Sequence, residues 1–166
     1  TDTAGTTYSI ESYRGRLVVG EFWSARCPHV ARSETARQRL AKKCGARGVV
    51  YLAIDSCLDE SPDEMKQYLA DRGSTYTVIV DDSSRLAKQF NATRTPEAFV
   101  LDRDGVVRFI GGPFSPEQWA KGDPDRADWL EDALDAALEG RSLEPAIRPV
   151  VGSRIRKIAV PIEPWL

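Results

Sequence analysis

The chain has 166 residues, the length of one domain with a full hydrophobic core, and no shift in composition marks a second. Its 23 Lys and Arg against 25 Asp and Glu leave a formal charge of −2, without the basic excess that nucleic acid or an anionic membrane surface selects, so neither is an expected partner. No apolar run approaches membrane-span length, the first five residues are too small and polar for a signal sequence, and three cysteines with one histidine make neither a disulfide scaffold nor a zinc site.

Residues 13–16 read as a turn into a strand over 17–23, a β-branched and aromatic run. A helix is expected from Pro28 to about Gly45, since Val30 to Leu40 carries neither glycine nor proline. Pro28 falls in the first helical turn, where its missing N–H costs nothing. Cys27 then occupies the helix cap, where unpaired backbone N–H groups and the positive end of the dipole favour a thiolate. Arg26 and His29 are adjacent candidate cations, and a lowered pKa is what makes a thiol nucleophilic near neutral pH. The competing reading of Cys27 is a buried structural cysteine, because free cysteine is among the most buried residue types. Cys44 follows Ala36 and Leu40 at helical spacing and reads as core.

Residues 49–54 are a continuous apolar run, as in a strand buried on both faces, and with the first strand and its helix they make a right-handed βαβ unit. Cys57 follows at the sheet edge where reacting groups of α/β proteins gather. It would resolve a disulfide with Cys27 only if their Cα atoms came within about 7 Å. Asp55, ending this strand, is a candidate partner for the Trp23 indole. Ser61-Pro62-Asp63-Glu64 is a capping box opening a helix that puts Met65, Tyr68, Leu69 and Arg72 on one face and stops at Gly73.

A strand is expected over 76–80, then a short helix capped by Asp82 or Ser83 with Leu86 and Phe90 inward. Residues 98–101 and 106–110 form an antiparallel hairpin around the turn chemistry of Asp102 to Gly105. Ser115-Pro116 caps a helical segment interrupted at 121–124, and helix resumes with Trp129, Leu130, Ala133, Leu134, Ala137 and Leu138 on one face, ending at Gly140. The acidic residues Asp123, Asp125, Asp128, Glu131, Asp132 and Asp135 read as a solvated helix face.

Phe22-Trp23-Ser24-Ala25-Arg26-Cys27 resembles the Phe-Trp-x-x-x-Cys of thioredoxins and their membrane-tethered cytochrome-maturation relatives. Cys27-Pro28-His29-Val30 is similar to the Cys-Pro-His-Cys of DsbA-like disulfide oxidants, with Val30 replacing the resolving cysteine. A second resemblance is to peroxiredoxins of the alkyl hydroperoxide reductase/thiol-specific antioxidant group, whose Pro-x-x-x-Thr-x-x-Cys-Pro is echoed by Gly20-x-x-x-Ser24-x-x-Cys27-Pro28. These resemblances imply an α/β thioredoxin fold: a central mixed sheet flanked by helices, with an extra strand-helix unit before a cis-proline loop at Thr95-Pro96. They cover most of 8–160 and imply one domain over 1–166, with a core of about 8–140 and a C-terminal extension over 141–166. Segments 137–145 and 151–155 resemble the tail of bacterial thioredoxin-like redoxin-domain proteins, which often carry cysteines where this chain has Ser24, Arg94 and Ser153. The odd cysteine count fits an extracytoplasmic or a cytoplasmic bacterial setting.

The expected catalytic set is Cys27, His29, Ser24 and Arg26, with Cys57 as a possible resolving thiol and Trp23, Pro28, Arg94, Thr95 and Pro96 around a substrate groove. No metal and no cofactor are expected. Three functions follow from these residues. The leading one is thiol-disulfide exchange through the single thiol of Cys27, on a protein or small-molecule disulfide, with release by an external thiol or by Cys57. The second is a one-cysteine peroxidase in which Ser24 and an arginine orient a peroxide and Cys27 becomes a sulfenic acid. The third is a binding module that keeps the fold after redox activity has decayed.

Overall fold

The computed structural model describes residues 1–122, 124–144 and 146–156. The first strand, β1 (Val18–Trp23), is buried along its whole length. Two helices follow where one was expected: α1 (Pro28–Arg32) and α2 (Glu34–Ala46). The break is at Ser33, whose hydroxyl donates back to the carbonyls of His29 (2.9 Å) and Val30 (3.3 Å) and so competes with the helical ladder. β2 (Val50–Asp55) lies parallel to β1 with Trp23 opposite Asp55, so both strands end on one sheet edge.

The capping box at Ser61 is formed as expected and opens α3 (Pro62–Arg72). β3 (Val78–Val80) is shorter than the expected run, its pairing with β2 beginning at Val78 opposite Ala53, and Tyr76 before it donates its hydroxyl to the Glu34 carboxylate at 3.1 Å. α4 (Arg85–Gln89) is capped by Asp81 and not by Asp82 or Ser83: its two carboxylate oxygens accept the N–H groups of Leu86 (2.8 Å) and Ala87 (3.0 Å). Next come β4 (Arg94–Thr95) and the expected hairpin of β5 (Glu97–Leu101) and β6 (Val107–Gly111). After α5 (Pro116–Ala120) and α6 (Asp128–Leu138), the C-terminal extension returns to the body as β7 (Ile147–Arg148) and β8 (Ser153–Arg154), two strands the sequence pattern did not announce.

The main sheet has the order β3-β2-β1-β5-β6-β7, with β1, β2 and β3 mutually parallel and β5 antiparallel to both β1 and β6. This is the expected βαβ unit followed by a hairpin, with β3 added at the edge. One face packs Val19, Val100 and Phe109 under Leu40 of α2 and Leu130 and Leu134 of α6. The other packs Phe22, Ile54, Phe90 and Phe99. Gly20 is required there: a Cβ would lie 2.1 Å from the Phe99 ring, which crosses β1 at this point.

Of the expected acidic face, Glu131 is buried and held by Lys43 (3.5 Å) and Arg126 (3.3 Å), so the solvated reading fails for it. Asp128 accepts the Ser115 N–H at 2.8 Å. Asp123, Pro145 and the extension from residue 157 lie outside the described residues.

Candidate active site

Cys27 is the cap residue of α1, with extended backbone (φ −82°, ψ 118°) and Pro28 at the first helical position. The thiol is 1% exposed and donates to the Thr95 carbonyl at 3.1 Å, across a cis Thr95-Pro96 peptide bond. Burial pushes the Cys27 thiol up, but the side chains of Ser153 and Thr95 and the backbone N–H groups of Val30 and Ser153 outweigh it and hold the pKa below its ordinary value. These are hydroxyls and amides, not the cations expected from the sequence. Arg26 turns away, its Nε and Nη2 on Glu64 Oε1 at 2.9 and 2.5 Å. The His29 ring stacks on Trp119 with centroids 5.5 Å apart.

The loop carrying Thr95 is fixed by Glu97, whose Oε2 accepts the N–H groups of Thr93 (2.9 Å) and Arg94 (3.1 Å). Thr95 Oγ1 is buried without a hydrogen-bond partner among the described residues. Pro96, next in the loop, is buried, and Pro28 is exposed. Arg94 Nη1 donates to the Gly152 carbonyl at 2.7 Å.

Trp23 does not face a groove. It is fully buried, edge-on to the Tyr68 ring at 5.0 Å. Its Nε1 and Asp55 Oδ2 are each unpartnered among the described residues, so the expected indole–carboxylate bond is not made. Ser24 is also fully buried; its hydroxyl donates to Glu60 Oε1 and accepts from Arg156 Nη2 at 3.4 Å, which commits the group expected to orient a peroxide. Cys57 and Cys27 are unbonded and pack in different clusters. Burial pushes the Cys57 thiol up to about 11, so it carries far less thiolate at neutral pH.

Asp55, Cys57 and Glu60 bring three ligating atoms within 4.8 Å of one another. Within this group Glu60 accepts from Ser24, from Arg156 and from the Ala25 N–H at 2.7 Å, while Asp55 Oδ2 has no partner among the described residues. Sequence reading missed two elements of the site. One is Glu97, which looks like an ordinary strand residue. The other is Ser153 on β8, whose only signal was the resemblance that puts a cysteine at its position. Beside the site, Phe114, Trp119, Trp129, Pro149 and Val151 line an apolar groove of about 280 Å³, which shares Trp119 with the His29 stack.

A family model described as "AhpC/TSA family" matches residues 1–110, two thirds of the chain. The chain belongs to the AhpC/TSA family. Among curated proteins, this AhpC/TSA chain is similar to the thiol-disulfide oxidoreductase ResA of Geobacillus kaustophilus, at 24% identity over 110 residues, covering 66% of this chain and 62% of that protein. It thus spans about three fifths of that relative's length. Among solved structures it is similar to a hypothetical protein from Sinorhizobium meliloti, with a TM-score of 0.84 at 24% identity, covering 96% of this chain and 90% of that one. It is also similar to a secreted Mycobacterium tuberculosis disulfide oxidoreductase homologous to E. coli DsbE, with a TM-score of 0.64 at 18% identity over 82% and 92% of the two chains. The fold is that of the thioredoxin-like proteins.

Proposed function

We propose that the chain is a thioredoxin-like thiol-disulfide oxidoreductase working through one nucleophile, Cys27. The observation that carries this reading is the environment of Cys27: a sulfur at a helix cap, with amide and hydroxyl donors that hold its pKa down against burial. The names of the relatives, a thiol-disulfide oxidoreductase and DsbE-type interchange proteins, support the same class.

The Cys27 thiolate attacks one sulfur of a substrate disulfide. The S–S bond breaks, a mixed disulfide forms on Cys27, and the other sulfur leaves as a thiolate that takes up a proton. Val30 brings no second sulfur to the motif, so an external thiol attacks the mixed disulfide, is oxidised in turn, and returns Cys27 as thiolate. The Val30 and Ser153 amides that stabilise the attacking thiolate also stabilise it as the leaving group in this second step. α1 is only five residues long, so these local donors act in place of a long helix dipole.

Incubation with oxidised glutathione, followed by peptide mass mapping, tests this. One glutathione on Cys27, removed by dithiothreitol and absent from Cys27→Ser, is the expected result. An adduct on Cys57 alone, or none, refutes it. Hydrogen peroxide in place of the disulfide is expected to give no rapid sulfenic acid; rapid formation would move the assignment to peroxidase.

A further inference from the structure

The thiol assigned to attack is covered by the chain itself. β8 lies antiparallel on β4, with Ser153 opposite Thr95 and Arg154 opposite Arg94, and the Ile155 N–H donates to the Thr93 carbonyl at 2.9 Å. The strand that carries the Cys27 acceptor, Thr95, therefore has its free backbone edge filled. An extended polypeptide bringing a disulfide to Cys27 would pair with that same edge, because main-chain hydrogen bonds are what an open strand offers.

The fit of the resident segment is specific. Gly152 lies so close to β4 that a Cβ would stand 2.3 Å from the Thr95 carbonyl oxygen. Ser153, the next residue, stands opposite Thr95, whose carbonyl accepts the Cys27 thiol at 3.1 Å, which brings Ser153 to the same place on β4 as the sulfur. A cysteine at this position would place a second sulfur where the serine oxygen is. Among the described residues the segment is held by the buried Ile155, the Leu58 N–H to the Arg156 carbonyl at 2.9 Å, Arg156 on Asp59 at 2.8 Å and on Glu60, and Arg94 on Gly152. Such a two-residue pairing belongs to the low-stability end of local opening.

We propose that residues 152–155 are a self-inserted substrate strand: Gly152 and Ser153 occupy the places of a substrate's backbone and half-cystine, and Cys27 reacts when a competing strand displaces them. The inference rests on the reading of Cys27 as nucleophile. It also names the substrate: an extended polypeptide with glycine immediately before the half-cystine.

Three measurements on the full chain test it. In Gly152→Ala the added methyl pries β8 from β4, and iodoacetamide is expected to label Cys27, read by mass mapping, at least about tenfold faster than in the parent; an unchanged or slower rate overturns the proposal. In Ser153→Cys, oxidised glutathione takes two electrons from the two thiols, a disulfide forms between Cys27 and the introduced thiol, and two glutathione thiols are released. Linked peptides and a Cys27 protected until dithiothreitol is added are expected, and no link overturns the proposal even if Gly152→Ala does not fold. Two peptides activated as mixed disulfides, one with Gly and one with Val before the cysteine, are expected to react at rates differing by at least about tenfold; equal rates refute the mimicry. The two readings fail separately. Faster labelling of Cys27 in Gly152→Ala with no glutathione adduct leaves the strand standing and removes the exchange chemistry. A full adduct with no acceleration does the reverse.

Discussion

Asp55 ends β2 with 1% of its surface exposed, one oxygen accepting the Cys57 N–H at 2.7 Å and the other unpartnered among the described residues. Burial, and then the Glu60 carboxylate beside it, push its pKa up to about 8, with Arg156 opposing. In the unfolded chain the same group titrates near 4. The folded state therefore holds a proton that the unfolded chain has released: the stability this gives is complete below about pH 4 and is lost as the pH rises towards 8. Asp55→Asn keeps the acceptor for Cys57, gives Glu60 a donor and removes the ionisation. It is expected to stabilise the protein on the order of 2–4 kcal/mol at pH 8, where each tenfold difference in proton affinity between the two states is worth ~1.4 kcal/mol, and by little at pH 4. Urea titrations of both proteins across that range read it directly. A variant less stable than the parent at pH 8 would mean that Asp55 is ionised and held by Arg156.

At the scale of elements, the join between β1, α1 and α2 is an ion cluster around Arg37. This fully buried guanidinium donates to Glu21 of β1 at 2.5 Å, to Glu34 at 3.0 Å and to the last-turn carbonyl of Val30 in α1 at 2.9 Å. Tyr51 closes the Glu21 side at 2.8 Å and Tyr68 the Glu34 side at 2.9 Å. Removing one partner of such a set strands a buried charge, so Arg37→Met is expected to cost about 3–5 kcal/mol. Urea midpoints at neutral pH measure it; a loss under about 1 kcal/mol would mean that water or a shifted side chain takes over the two carboxylates. Pattern reading assigns charged helix residues to solvent, and Glu21, Glu34 and Arg37 become legible only once three elements have met. β8 was hidden for another reason, since two residues carry no periodicity. The junction at Cys27-Pro28 was legible because proline limits where a helix begins, and the loop at Thr95-Pro96 was legible only through the resemblance to the thioredoxins.

In the whole molecule, three cysteines that look alike in sequence are given three environments by one fold. Cys44 faces the α6 side of the sheet, where burial pushes its thiol up to about 12. Cys57 lies on the opposite face beside Asp55 and Glu60, which together with burial hold it at about 11. Cys27, at the sheet end between α1 and β4, is the one held below the ordinary value. Sequence position placed Cys44 in the core and Cys27 at a helix cap, while the Cys57 environment depends on the fold of residues 55–60. Between pH 7 and 9 native protein treated with iodoacetamide should therefore be modified at Cys27 alone, slowly because β8 covers it, and with a rate that rises through a midpoint below the free-thiol value of about 8.5. In guanidinium chloride all three should react together, with midpoints near that value. Cys57 reacting first in the native protein would show that the β2–α3 loop opens more readily than β8 leaves β4, and the resolving role would then have to be returned to it.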